Sequence, residues 1–192
     1  ILNDPRSTLV TECNSRCACP PTCPNRQVQR GRRVPLEIAR LPDDRGWGVR
    51  AVCDIPAGTF IDRYWGEVVT AAEADRRGGA HLGQYLFDLD WAAGSDASPA
   101  GSTRRAPFCI DARSTGGLSR FLNHSCDPNL AVVSVTQDDA PDAQLHAVAF
   151  FAARDILEAE QLTFDYRSQA GPGSVGRKCL CGAKNCRKVL FI

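Results

Sequence analysis

Cysteine placement constrains this chain more than any other feature. Eight of its ten cysteines fall in or beside clusters: Cys13, Cys17, Cys19 and Cys23 early, Cys179, Cys181 and Cys186 late, and Cys126 in a polar stretch between them. Pro20 and Pro21 interrupt the first cluster and Pro24 follows it, which denies that segment a helix or a central strand. Its order must come from bonds to sulfur. A reducing compartment makes metal a better expectation than disulfides, and four thiolates complete one tetrahedral zinc site. The late trio lacks a fourth ligand nearby, and Cys126 is its natural completion. Cys53 and Cys109 stand alone among apolar neighbours and read as buried structural thiols.

Composition narrows the class. With 192 residues, 43% of them hydrophobic and 23% charged, the chain is long enough to bury a core as one domain plus appendages. A net charge of +1 argues against a nucleic-acid binder that relies on bulk positive charge. No apolar run approaches the ~18 residues of a membrane span, and the first residues show no signal-peptide pattern. An intracellular, soluble protein is expected.

Short strands and turns dominate the pattern. Val34–Ile38 alternates, Arg45-Gly46-Trp47-Gly48-Val49 follows a turn at Asp43-Asp44, Thr59–Val69 is β-rich, and Gln84–Asp90 puts Tyr85, Phe87 and Leu89 on one face. Thr70-Ala71-Ala72-Glu73 is a capping box that opens a short helix through Arg77, ended by Gly78-Gly79, with a polar surface read as a solvated face. Residues 92–107, rich in Ala, Gly, Ser and Pro, read as a low-complexity insert, and Gln169–Gly176 as a glycine-rich linker. Phe108–Ala112, Leu130–Val135 and Leu145–Ala152 return to strand, the last two bracketing an acidic loop at Asp138–Asp142.

Chemistry concentrates in two places. Arg120-Phe121-Leu122-Asn123-His124-Ser125-Cys126 packs an amide, an imidazole, a hydroxyl and a thiol together before Asp127-Pro128, and reads as a turn or loop. Leu162-Thr163-Phe164-Asp165-Tyr166 follows about forty residues later. These two blocks resemble the two-part core of SET-domain protein lysine methyltransferases. The late C-x-C-x4-C is similar to that family's post-SET zinc segment. Glu12-Cys13 through Cys19, then Cys23-Pro24-Asn25-Arg26, resembles the second half of the pre-SET domain of the heterochromatin type, which acts on lysine 9 of histone H3. In that family nine cysteines share three zincs; the last four are present here, so the module is expected to be truncated or to hold fewer zincs.

The resemblance implies a mainly β (α+β) fold of several small curved sheets, with a knot-like threaded active site flanked by cysteine-rich zinc segments. It divides the chain into a partial pre-SET segment (1–33), a SET domain (34–167), a linker (168–177) and a post-SET segment (178–192). The implied activity is methyl transfer from S-adenosylmethionine (AdoMet) to lysine 9 of histone H3. Tyr166 would be the main catalytic tyrosine, with Tyr85 and Phe164 walling the lysine channel. Arg45, Gly46, Trp47, Tyr85, Arg120, Asn123 and His124 would hold the cofactor. One zinc would sit on Cys126, Cys179, Cys181 and Cys186, and one or more on Cys13, Cys17, Cys19 and Cys23. Phe164 resembles a product-specificity position at which phenylalanine leaves room for di- or trimethylation, and Phe191 stands where relatives carry an aromatic over the channel. The implied setting is a nuclear, chromatin-associated monomer that meets the histone H3 tail, without a membrane and without sequence-specific nucleic-acid contact. The competing expectations are a SET enzyme for a different histone or non-histone lysine, and a non-catalytic SET module that binds histone tails.

Overall fold

A computed structural model describes residues 9–42, 44–77, 85–89, 106–137, 145–166 and 176–191. The expected insert up to residue 105, the linker up to residue 175, the acidic loop Asp138–Asp142 and the helix stop at Gly78-Gly79 lie outside the described residues. In chain order the strands are β1 (Leu9–Glu12), β2 (Leu36–Arg40), β3 (Trp47–Ala51), β4 (Phe60–Arg63), β5 (Glu67–Thr70), β6 (Leu86–Asp88), β7 (Phe108–Asp111), β8 (Asn123–His124), β9 (Leu130–Gln137), β10 (Ala147–Ala152), β11 (Gln161–Phe164), β12 (Gly176–Lys178) and β13 (Val189–Phe191). Helix α1 (Ala71–Arg77) follows β5, and a 3₁₀ turn covers Leu118–Phe121. The chain is mainly β, as its pattern of short strands predicts.

Two compact units alternate along the sequence. One takes Ile1–Arg33, Phe60–Arg120 and Val132–Phe150; the other takes Val34–Thr59, Phe121–Ala131 and Phe151–Ile192. The first is built on a sheet of order β1-β9-β10-β4 and a smaller one of order β5-β7-β6. Its core holds Ile61, Val133, Val135, Val148 and Phe150, all at 2% exposure or less. Burying side chains of this size stabilises by about 1.5–3 kcal/mol each. Beneath α1, Val69, Ala74 and Cys109 form a smaller buried cluster with Leu86 packed against it. Cys109 is thus the buried thiol expected, whereas Cys53 is only half-buried. Thr70 Oγ1 accepts the Glu73 N–H at 3.2 Å, so α1 starts with the cap its sequence specifies.

The second unit carries the sheet β2-β3-β11-β8 and the two-stranded β12-β13. β11 lies antiparallel to β3 and parallel to β8, with Thr163 opposite Asn123 and Phe164 opposite His124. The central polar stretch, expected to be a turn or loop, therefore enters the sheet as a two-residue strand. The reason is tertiary: Asn123 and His124 gain backbone partners only because β11 arrives from forty residues away. Asn129, 1% exposed, fixes that arrival. Its Nδ2 donates to Glu160 Oε1 at 2.8 Å and to the Gln161 carbonyl at 2.9 Å, and its Oδ1 accepts the Thr163 N–H at 2.8 Å.

Candidate active site and metal centres

The second unit gathers most of the implicated residues. Gly46 adopts φ +75°, a left-handed turn conformation that glycine takes without strain, and leads into β3. Trp47 follows, 55% exposed. Gly48 has a different reason to be glycine: a Cβ there would meet Gln161 Nε2 at 2.8 Å and Asn123 Nδ2 at 3.2 Å. That closeness lets Asn123 Nδ2 donate to the Trp47 carbonyl at 2.8 Å, so the amide braces the exposed indole's backbone. Arg45 lies half-buried two residues before Trp47.

On the neighbouring strands an aromatic group assembles. Phe164 is 7% exposed, and its ring lies 4.6 Å from that of Tyr166, tilted by 40°. The Tyr166 hydroxyl donates to the Leu122 carbonyl at 2.7 Å, while its N–H donates to His124 Nδ1 at 3.2 Å. The His124 ring meets the Tyr166 ring edge-on at 5.4 Å. Tyr166 is thus held at both ends and on one side. With Nδ1 accepting, the proton of a neutral His124 ring sits on Nε2, which faces Cys126 Sγ at 3.3 Å. Burial pushes the imidazole below its ordinary value, aided by the Arg187 cation and opposed by Asp165 and the Phe164 carbonyl, which favours the neutral ring this pattern requires.

Cys126, Cys179, Cys181 and Cys186 converge on one point, every ligand atom within 4.8 Å of every other. Cys126 Sγ and Cys179 Sγ are 3.9 Å apart. A tetrahedral zinc with sulfur at ~2.3 Å needs sulfurs about 3.8 Å apart, so this donor set fits the ion. Backbone amides are already aimed at the sulfurs: Arg187 N–H at Cys126 Sγ and Lys188 N–H at Cys186 Sγ, both at 3.3 Å. Burial would raise the Cys181 thiol, but backbone hydrogen bonds at Cys126 and Ala183 outweigh it and hold the group down to about 6, a thiolate at neutral pH.

The first unit holds the remaining candidates. Tyr85 is half-buried, and its ring lies under the Arg120 guanidinium, 4.7 Å from the centroid. Arg120 also donates to the Ala112 and Arg113 carbonyls, both at 2.8 Å, so its fork braces a loop and the Tyr85 face. Near the chain start, Cys13, Cys19 and Cys23 form a second possible metal group, again within 4.8 Å of one another. Cys17 stays exposed, its Sγ 3.7 Å from Asn14 Oδ1 and its N–H on the Asn14 carbonyl, while its thiol still interacts with that of Cys13. The structure therefore brings three of the four expected early thiols together. Arg26 Nη2 approaches Cys19 Sγ at 3.5 Å, and the nearby cation lowers that thiol's pKa, which suits a ligand.

Residues 46–167 match the SET domain family model, and that span is more than half of the chain. The chain belongs to the SET-domain family. Among its relatives, an H3 lysine-9 specific histone-lysine N-methyltransferase of Fusarium mangiferae, KMT1, is 44% identical over 95% of this chain and 56% of its own length. The H3 lysine-9 specific dim-5 of Neurospora crassa is 42% identical, over 95% of this chain and 59% of its own. A crystal structure of KRYPTONITE in complex with mCHH DNA, H3(1-15) peptide and SAH superposes with a TM-score of 0.74 at 36% identity, covering 95% of this chain and 35% of that one. The chain thus spans only a little over half of the two curated relatives.

Within this SET domain two supports escaped the sequence. Tyr64, 7% exposed, donates its hydroxyl to the Tyr85 carbonyl at 2.9 Å and packs its ring on Phe87 and Phe150, so it sets where Tyr85 begins. Nothing local in Arg63-Tyr64-Trp65 distinguishes that tyrosine from a strand residue. Arg77 belongs to the helix face that the sequence predicts to be solvated. It instead binds Glu67 at 2.7 Å, Glu73 at 2.6 Å and Asp111 at 3.2 Å, on one side of a cleft of about 510 Å³ shared with Leu86, Arg113 and Ser114. Asp111 supplies the reason: it is 8% exposed, and a buried carboxylate requires a partner.

Proposed function

We propose that this chain is the catalytic portion of an AdoMet-dependent protein lysine methyltransferase that acts on lysine 9 of histone H3. The observation that carries it is the fixation of Tyr166: hydroxyl on the Leu122 carbonyl, amide on His124, ring against Phe164. Bound AdoMet would supply an electrophilic methyl on a sulfonium. The exposed Trp47 ring, with Gly46, Arg45 and the Asn123–His124 strand, offers an aromatic face and polar groups suited to a nucleoside-bearing cofactor.

The residues' own tasks are alignment, water exclusion and handling of the amine. Positioning can account for roughly 7–11 kcal/mol of barrier lowering, which makes alignment the largest. A free lysine with pKa ~10.4 is nearly all protonated at neutral pH. Apolar walls from Phe164 and Tyr166 disfavour the ammonium, and the same ring faces tolerate a methylated cation. Tyr166 orients the amine through its hydroxyl. Its hydrogen bond to a carbonyl gives no reason for a phenolate, so it is not cast as a strong base. Tyr85 is braced by Tyr64 and Arg120.

Zinc on Cys126, Cys179, Cys181 and Cys186 would pin the late segment, and the early trio would hold zinc with a fourth ligand from outside that trio. Phe164 supports di- or trimethylation, because a ring without a hydroxyl retains no water where the amine must turn. Lysine 9 rather than another target is supported by the lysine-9 names of the relatives and by the early cysteine wording. A nuclear site follows from that substrate.

Mass spectrometry of a histone H3 tail peptide incubated with the purified chain and AdoMet tests this. Two or three methyls on lysine 9, absent when that lysine is replaced, are expected. Phe164→Tyr should stop the reaction at one methyl. No transfer by zinc-loaded protein would instead favour a histone-binding module.

A further inference from the structure

We propose that Arg187 is a positioning residue for Tyr166, through which the state of the late cysteine segment is relayed to the active site. This rests on the methyltransferase reading above.

Arg187 directly follows the ligand candidate Cys186 and makes two kinds of contact at once. Its main chain belongs to the metal group, since its N–H donates to Cys126 Sγ at 3.3 Å. Its side chain belongs to the tyrosine: Nη2 donates to Asp165 Oδ1 at 2.5 Å and lies 3.4 Å from His124 Nε2. Asp165 is the residue before Tyr166, and His124 is the ring that accepts the Tyr166 amide. One guanidinium therefore grips the residue bonded to Tyr166 and borders the residue hydrogen-bonded to it.

The ion pair is the least shielded member of this chain of contacts, with side chains 43% and 32% exposed. An exposed pair contributes little to global stability, typically below ~1 kcal/mol. Its value here is directional. The main-chain contact to Cys126 depends on how the four sulfurs converge, so Arg187 presents its fork to Asp165 only while the tail is gathered. Asp165 also lies 3.6 Å from His124 Nδ1, beside the atom that takes the Tyr166 N–H. If the guanidinium left, Asp165 would lose the partner that fixes its side chain, and the backbone that carries the Tyr166 N–H to His124 could shift. Small displacements of this kind can cost on the order of a hundredfold in rate.

The test uses zinc-loaded protein carrying ring-¹³C tyrosine. The chain has three tyrosines, so each signal can be resolved, with Tyr166→Phe supplying the assignment. Arg187→Gln and Asp165→Asn are compared with wild type, and the second breaks the pair without touching the cysteine segment. Both should shift the Tyr166 signal, leave those of Tyr64 and Tyr85 in place, and retain full zinc. On the H3 peptide, kcat should fall roughly 10- to 100-fold with KM within about twofold, and the double variant should be no worse than either single one. Unmoved Tyr166 signals in both variants overturn the proposal. So does zinc loss in Arg187→Gln combined with wild-type behaviour of Asp165→Asn, which would make Arg187 a tail anchor only. An inactive wild type would sink the methyltransferase reading, while the tyrosine signals would still decide the relay.

Discussion

The two cysteine groups share a ligand chemistry and differ in where their ligands come from. The early group draws on Cys13, Cys19 and Cys23, one short run directly after β1. The late group joins Cys179, Cys181 and Cys186 to Cys126, which lies 53 residues before Cys179. A cluster closed within one run orders its own loop. A cluster that borrows a ligand from a distant strand end cannot assemble until the chain around that strand has folded. Cys126 is two residues from His124, and His124 holds Tyr166, so the late group is coupled to the candidate active site.

Each group also has a carboxylate anchor, and these differ in the same way. Glu12, 3% exposed, accepts the Val28 N–H at 2.6 Å and the Gln29 N–H at 3.1 Å, tying the early loop to itself. Glu160 binds Asn129 at 2.8 Å and Arg154 at 2.6 Å, and so helps hold the start of β11 beside the segment that carries Cys126. One anchor is local; the other joins distant parts of the sequence.

The comparison can be broken most severely at Cys126. Cys126→Ser should remove one zinc per chain and lower activity by more than about a hundredfold, because metal and Tyr166 support go together. Metal analysis beside a methyl-transfer assay reads this, and retained activity after zinc loss would separate the two. Next, Cys19→Ser should empty the early group yet leave kcat within about tenfold of wild type, since the loss is confined to a local loop. A collapse as deep as that of Cys126→Ser would erase the contrast between the groups. Third, Glu12→Gln should destabilise by about 1–3 kcal/mol, seen in urea midpoints, because it weakens a buried acceptor of several hydrogen bonds.

The smallest expected effect is in acid. Burial would raise the Glu160 carboxyl, but Arg154, Asn129 and the Leu157 N–H outweigh it, so the folded group lies below its ordinary 4.5. Its contribution to stability is therefore fully present above the unfolded pKa and fades as pH falls through the lower folded value. Glu160→Gln should flatten that acid limb by less than ~1 kcal/mol, since its ion-pair partner Arg154 is 54% exposed. An unchanged limb in acid-unfolding curves would remove Glu160 from the second anchor. Cys17→Ser completes the comparison from the other side. It should lower zinc content and activity less than Cys19→Ser does, because its sulfur lies outside the group of three that stand within 4.8 Å of one another.

Much of this was legible along the chain. Strand-forming alternation, the capping box at Thr70 and the chemistry of the Asn123–Cys126 and Phe164–Tyr166 blocks depend on residue type and short spacing, which a sequence displays directly. Counting ligands also joins Cys126 to the late trio, and the four sulfurs do lie within 4.8 Å of one another. Spacing counts four early thiols alike and cannot show that Cys13, Cys19 and Cys23 are the three that stand within 4.8 Å of one another. Tyr64, Arg77 and Arg187 were invisible for a common reason: their partners Tyr85, Asp111 and Asp165 lie 21, 34 and 22 residues off. Residue identity alone fixed which groups could ligate, donate or pack. Only the folded chain decided which of them meet, because β8 exists solely by pairing with β11, and that pairing brings His124, Cys126 and Tyr166 together.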